Sequence, residues 1–256
     1  HRNDHQLGRS RAKTIPVETF GFEEQIAENN GGASYLWVNA AYELAGRMVS
    51  AFEDHGWCAA IRGVEGGGLV QSMSVHNYIS QTGEKVLQCP TEVAISDRRE
   101  KELADLGFIP LVYCKGTDYA AFFAVQSANK PRKYDSDLAN ANARLSSQLQ
   151  YIMTTSRFAH YLKAIVRDKV GSFMSRSECQ NFLQTWINQY VVGSDNVCAN
   201  IKASHPLREA RLEVIEILGS PGSYKAVAYF RPHLPLAGLS MSLRCVAELP
   251  ASAGGS

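Results

Sequence analysis

This chain has almost no net charge: 26 Lys and Arg set against 25 Asp and Glu over 256 residues. A protein that binds nucleic acid through its phosphates carries a basic excess, so that class is excluded as the leading reading. Long apolar runs are absent too. The longest, such as Tyr119 to Val125, fall far short of a membrane span, and no secretory signal pattern is seen. Membrane insertion is therefore not expected. The six cysteines, Cys58, Cys89, Cys114, Cys179, Cys198 and Cys245, include no Cys-x-x-Cys pair and mostly sit beside apolar residues. They read as reduced core thiols of a cytosolic protein. From His55 onward no histidine has the Glu-x-x-His or His-x-x-x-His spacing of a metal site, so no metal is expected, and His76, His205 and His233 read as turn or structural residues.

Catalytic signatures are equally sparse. Gly63-Val64-Glu65-Gly66-Gly67-Gly68 is rich enough in glycine to cradle phosphate, but Leu69-Val70-Gln71 follows where a phosphate loop needs Gly-Lys-Ser/Thr. The stretch reads as a tight turn between strands. Cys114, Asp118 and His160 can be assembled into a thiol-hydrolase triad, yet nothing local supports that choice. An α/β enzyme using a thiol or a nucleotide is the alternative function, without an assigned catalytic or cofactor residue.

With 45% hydrophobic residues, what is present suffices for a large core. The chain starts at His1 rather than Met, which suggests a fragment or a processed product. Residues 1–34 are polar and read as a partly disordered leader, and residues 250–256 as a flexible tail. Between them lie an α/β domain, 35–130, and a second domain, 131–249, parted at Asn129-Lys130-Pro131-Arg132-Lys133. In the first, Tyr35 to His55 is expected as a helix ended by Gly56, and Trp57 to Ile61 as a buried strand. Ser74 to Ile79 and Glu84 to Leu87 form a hairpin across Gln81-Thr82-Gly83. Glu92 to Ile95 reads as a strand, Asp97 to Leu106 as a helix with an Asp97/Glu100 capping box, and Phe108 to Tyr113 as a strand. Together these last three suggest an α/β unit. Asp118 to Val125 reads as a short helix.

The second domain opens on a long helical region, Ser136 to Val170, whose core-facing side is expected to change near Thr154-Thr155-Ser156. Either two helices meet there or one packs on different neighbours along its length. Within it, Phe158, Tyr161, Leu162, Ile165 and Val166 fall on one side at three- and four-residue spacing. His160, Lys163 and Arg167 fall on the other, with Arg157 at its edge, and Gly171 is the expected cap. Solvation is the default for such a basic face, and a contact surface is the alternative. Ser175 to Val191 is a second helix with Phe182, Leu183, Trp186 and Tyr190 as its stripe. The final third is β: Arg211 to Leu218 and Tyr224 to Phe230 joined by Gly219 to Ser223, then Leu239 to Leu249 in clean alternation. Such a sheet has open edges, needs helices over one face and tends to accept another strand. The fold class is α+β, helices packed on small mixed sheets.

Several long segments resemble the large subunit of the type VI secretion system contractile sheath. They are Gly56-Trp57-Cys58-Ala59-Ala60-Ile61-Arg62-Gly63 running through Gly68; Cys89-Pro90-Thr91-Glu92 leading into Asp97 to Leu103; Cys114 to Phe123; Pro206-Leu207-Arg208-Glu209-Ala210-Arg211; and Phe230-Arg231-Pro232-His233. The likeness extends from about Tyr35 to Leu249, with Tyr113 departing where the family often has His and divergence over Asn196 to Ser204, read as a loop.

The resemblance implies a structural protein of the bacterial cytoplasm, similar in its C-terminal region to phage tail sheath domains, with no catalytic site or cofactor. It implies that this chain is the C-terminal half of a subunit twice as long. It also implies partners: the sheath small subunit, neighbouring large subunits, the inner tube, the baseplate, and an AAA+ unfoldase that acts mainly through the small subunit. On that reading Leu212, Val214, Val227, Tyr229, Met241, Leu243 and Cys245 lie on strands of a sheet shared between subunits. Arg157, His160, Lys163 and Arg167 are then candidates for contact with the tube or another subunit.

Overall fold

The computed structural model describes residues 35–169, 175–194, 196–216, 224–233 and 243–248. The leader, the tail, Gly171, Met241 and the turn at 219–223 lie outside the described residues. Among those described, six helices and eight strands form an α+β fold whose three small sheets are antiparallel. The chain divides into two compact units. One runs to Ser50 and resumes from Ile61 to Gln126; the other takes Ala51–Ala60 and the residues from Ser127 onward.

Helix α1 (Ala40–His55), whose residues from Ala51 onward belong to the second unit, starts later than the apolar pattern suggests. Asn39 is its N-cap, with the Ala41 N–H donating to Asn39 Oδ1 at 2.9 Å. It ends at Gly56, whose φ of +73° is the left-handed conformation glycine adopts freely. Trp57 to Ile61 is then a turn and not a strand, although Trp57 and Ile61 are both buried. In the first unit a sheet of β1 (Leu69–Val70), β5 (Ala120–Ala121) and β4 (Val112–Tyr113), with β5 central, replaces the expected α/β unit. Within Asp118 to Val125, where a helix was expected, Ala120–Ala121 is strand and the rest is irregular. Ala120, Ala121 and Phe122 are successive and all buried, which suits a central strand covered on both sides. The expected hairpin is present as β2 (Asn77–Ile79) and β3 (Lys85–Leu87), and Glu92 to Ile95 is irregular.

Helix α2 (Asp97–Asp105) has Ser96 at its N-cap, so the Asp97/Glu100 box does not form. Its end is well made. The Phe108 N–H reaches Leu103 O at 3.0 Å and the Gly107 N–H reaches Ala104 O at 3.0 Å, the paired bonds of a Schellman turn.

The second unit holds α3 (Asp137–Ser146), α4 (Leu149–Lys169), α5 (Arg176–Asn188) and α6 (Ala199–Ser204), then β6 (Leu207–Glu216), β7 (Tyr224–Pro232) and β8 (Leu243–Glu248). Two helices do meet in the long helical region, but at Ser147 and not near Thr154. Ser147 Oγ donates to Arg144 O at 2.8 Å, and its carbonyl accepts the Ser127 N–H at 3.0 Å. The core-facing side of α4 then runs unbroken through Tyr151, Thr154, Phe158, Leu162 and Val166. A short helix, α6, occupies much of the stretch expected as a loop.

Strands β6, β7 and β8 pair in that order, with Leu212 opposite Ala228, Val214 opposite Ala226, and Cys245 opposite Ala228 on the far side. Leu207, Leu212, Val214, Ala226, Ala228 and Phe230 face one core with Phe158, Leu162 and Val166 of α4 and Cys179, Leu183 and Ile187 of α5. Phe182, assigned to the stripe by spacing, is exposed, and Cys179 takes its place.

Candidate functional site

Two features of the second unit carry the functional question: the basic face of α4 and the edges of the three-stranded sheet. The four basic residues occupy different environments. His160, Lys163 and Arg167 are exposed, and Arg167 Nε stands 3.6 Å from Asp168 Oδ1 with both side chains open to solvent. A pair of that kind contributes little.

Arg157 is half-buried. Its Nε and Nη2 donate to the Tyr161 hydroxyl at 2.9 and 2.6 Å, and Nη1 donates to the Gly56 carbonyl. Its guanidinium carbon lies 4.5 Å from the ring centre of Phe52, 4.7 Å from that of Trp57 and 5.2 Å from that of Tyr161. Arginine suits this place because its plane lies against aromatic faces while its edge donates to oxygens. Gly56 closes the C-terminal end of α1, its N–H donating to Phe52 O at 2.8 Å, and positive charge is favoured beside such an end. Arg157 therefore joins α4 to the end of α1, and the exposed basic stripe is His160, Lys163 and Arg167.

Beneath it the rings converge on Phe158. Trp57 stacks on it at 4.4 Å between centres, Tyr190 and Phe230 approach to 5.5 and 5.4 Å, and Trp186 meets it edge-on at 6.2 Å. This hub connects α4, α5 and the central strand β7.

The seven residues assigned to a shared sheet also separate. Leu212 and Val214 are fully buried in the chain's own core, Val227 is buried on the opposite face, and Tyr229 is half-buried. Leu243 and Cys245 sit on β8 opposite Phe230 and Ala228. The side chains of Leu212 and Val214 hold the sheet to its helices, which leaves main-chain groups at the edges for any pairing with another chain.

At the outer edge of β6 those groups are engaged. The Leu212 N–H donates to Gln184 Oε1 at 2.9 Å, and Gln184 Nε2 donates to Ala210 O at 3.0 Å. The Val214 N–H donates to Gln180 Oε1 at 3.4 Å, and Arg176 Nε donates to Val214 O. Leu207 at the strand's start bonds the segment after α5, giving its N–H to Tyr190 O at 3.3 Å and accepting the Val192 N–H at 2.9 Å. The Ser175/Glu178 capping box fixes where α5 begins and so which residues meet the strand. Sequence reading missed this contact. The signal was the polar series Arg176, Gln180, Gln184, Asn188 at four-residue spacing beside the apolar stripe.

The enzymatic alternatives find no support in the geometry. In the glycine turn the Gly63 N–H donates to Phe122 O at 2.8 Å, the Gly68 N–H to Gly63 O at 2.9 Å and the Phe122 N–H to Gly68 O at 2.9 Å. The Gly63 and Gly68 amides are thus spent on Phe122, next to β5, and on the loop itself, and not on a phosphate. A Cβ on Gly68 would stand 2.8 Å from Phe122 O, and one on Gly66 2.4 Å from Arg62 O, so glycine is present for close backbone approach. Burial pushes the Cys114 thiol up, away from the thiolate a nucleophile needs. Cys114 and Asp118 belong to the first unit and His160 to the second. Among the described residues no group of three or more His, Cys, Asp or Glu could hold a metal ion, and no helix is long and apolar enough to cross a membrane.

Comparison with known families matches residues 7–129 to the EvpB/VC_A0108 tail sheath N-terminal domain and residues 138–249 to the EvpB/VC_A0108 tail sheath gpW/gp25-like domain. The type VI secretion system sheath protein TssC1 of Pseudomonas aeruginosa is 48% identical over 242 residues, which is 94% of this chain. The chain spans 48% of that relative's length.

Proposed function

The chain belongs to the type VI secretion system sheath protein family, a family of structural proteins and not enzymes, and we propose that it builds the wall of the contractile sheath as its large subunit. The observation that carries this reading is the β6-β7-β8 sheet, backed by α4 and α5 on one face and lying inside the region matched to the tail sheath domain. A strand donated by the sheath small subunit or by a neighbouring large subunit would extend that sheet. Main-chain hydrogen bonds give such a joint its strength, and alternating side chains set its register. The joint stays closed while whole subunits rotate about interfaces elsewhere, a rigid-body transition that drives the inner tube outward. Anchoring to the baseplate and dismantling by an AAA+ unfoldase through the small subunit complete the cycle, in the bacterial cytoplasm.

The exposed stripe His160, Lys163 and Arg167 is the surface proposed to meet the tube or an adjoining subunit. Co-expression with the small subunit tests the main reading: the two should copurify as a stable pair, and a chain that elutes alone at every concentration would refute it. Reversal of Lys163 and Arg167 to Glu in the complete large subunit should impair tube-templated assembly, and normal assembly would remove the stripe from the contact surface.

A further inference from the structure

The outer edge of β6 is bonded to side chains of α5 and, at Leu207, to the segment after it. We propose that helix α5 is an edge lock, whose Arg176–Gln180–Gln184 stripe withholds β6 from pairing with other chains and directs an incoming strand to β8.

Geometry makes the match possible. Four residues of helix advance about 6 Å, and two residues of strand about 6.7 Å. Side chains four apart on α5 therefore fall in step with alternate residues of β6 running the other way. Gln184 serves Ala210 and Leu212, Gln180 serves the Val214 N–H, and Arg176 serves the Val214 carbonyl. These are the positions whose N–H and C=O point away from β7, since a strand presents its polar groups to each side in turn. The segment after α5 continues the cover to Leu207. Glutamine suits the task because one amide both accepts from an N–H and donates to a C=O, as a neighbouring strand would.

An uncovered edge strand is a template for indiscriminate pairing, and natural sheets blunt such edges. Here the lock imposes a direction. The sheet order puts β6 at one margin and β8 at the other, so closing the first leaves a joining strand the second. The part concerning β8 rests on the shared-sheet reading above. The part concerning β6 does not.

The two parts are tested separately. In the chain alone, the Gln180→Ala/Gln184→Ala variant should expose Leu212 and Val214. Amide hydrogen exchange at both should accelerate at least tenfold, while Glu213, turned toward β7, keeps its wild-type rate. The variant should also self-associate with rising concentration. Exchange within twofold of wild type and an unchanged size would overturn the lock. Gln184→Glu keeps the acceptor for the Leu212 N–H and loses the donor to Ala210 O, so Leu212 should stay protected in it; deprotection there would equally count against the assignment. In the complex with the small subunit, new protection should appear along 243–248 and none along 210–214. Protection gained at 210–214 would overturn the lock. No gain at either edge would refute the shared sheet and leave the β6 result standing.

Discussion

The Arg157 guanidinium carbon lies 4.7 Å above the ring of Trp57, a residue one hundred positions earlier in the chain. This contact, with the bond to Gly56, ties the end of α1 to the middle of α4. Arg157→Ala should remove a charge-assisted hydrogen bond to a carbonyl and the ring contacts together. The expected loss is about 2 kcal/mol in denaturant unfolding followed by Trp fluorescence. Lysine at this position should recover only part of it, because an ammonium cannot bond Tyr161 and Gly56 while lying flat on rings. His160→Ala and Lys163→Ala should stay within about 0.5 kcal/mol, as exposed substitutions do. An Arg157→Ala variant as stable as those two would contradict the tie.

Removal of the ring at the centre of the hub is a stronger perturbation. Phe158→Ala leaves a cavity between α4, α5 and β7, with a cost of roughly 3–5 kcal/mol. Phe158→Leu retains most of the volume and should cost less. The hydrogen-exchange protection of β7 amides should fall in the same order as stability. A loss confined to α4 would show that the ring does not connect the three elements.

Where periodicity and capping agreed, the sequence was legible: α5, the β6–β7 pairing and the two-sided character of α4 follow from alternating or three-and-four spacing. Asp118 to Val125 was misread because an unbroken apolar run carries no period that distinguishes a central strand from a short helix. Leu145, Leu149 and Ile152 fall on the side of His160, Lys163 and Arg167 and suggested a change of face near Thr154, yet Thr154 is buried in line with Tyr151 and Phe158. The polar series Arg176, Gln180, Gln184 and Asn188 on α5 was visible in the sequence, but spacing alone does not say that a strand edge lies beside it. Arg157 was correctly placed at the margin of the basic face, but its ring cage depends on Phe52 and Trp57 from a distant segment. Contacts set by tertiary proximity leave no mark at either end.

The glycine turn offers a test of close packing. Gly68→Ala places a methyl group 2.8 Å from three backbone atoms, of Arg62, Gly63 and Phe122, none of which can swing aside. The first unit should lose about 1–3 kcal/mol, as for overpacked cores. Ala substitution at Val64, which is exposed in the same loop, should be close to neutral. Addition of ATP or GTP with magnesium should not raise the melting temperature of the wild-type chain, because the Gly63 and Gly68 amides already bond backbone carbonyls. A clear rise would restore a nucleotide reading of the turn.

Glu100 should make the first unit less stable as pH rises. Burial pushes its carboxyl above the usual range, with Arg62 and the Ala124 N–H opposing the shift and Asp97 adding to it. Between the ordinary carboxylate pKa and that raised value, the folded chain holds a proton the unfolded chain has lost, so stability falls with rising pH through that window. Below the ordinary value both states are protonated and the penalty is absent. Glu100→Gln should therefore raise the melting temperature at neutral pH and lose that advantage in acid. A variant less stable than wild type at pH 7 would mean that the contacts with Arg62 and Ala124 outweigh burial.

The thiols give a direct check on the absence of nucleophilic chemistry. Burial pushes up Cys58, Cys114 and Cys179, with Arg157 partly opposing the shift at Cys58, so each holds less thiolate at neutral pH than a free cysteine. Cys198 is exposed and Cys179 is fully inside the core. Of these four, alkylation by iodoacetamide at pH 7, followed by peptide mass analysis, should label Cys198 first and Cys179 only on unfolding. Cys114 and Cys58 should fall between and react faster as pH is raised toward their shifted values. Labelling of Cys114 ahead of Cys198 at neutral pH would require an activating partner that burial alone does not supply, and would return the thiol enzyme to consideration.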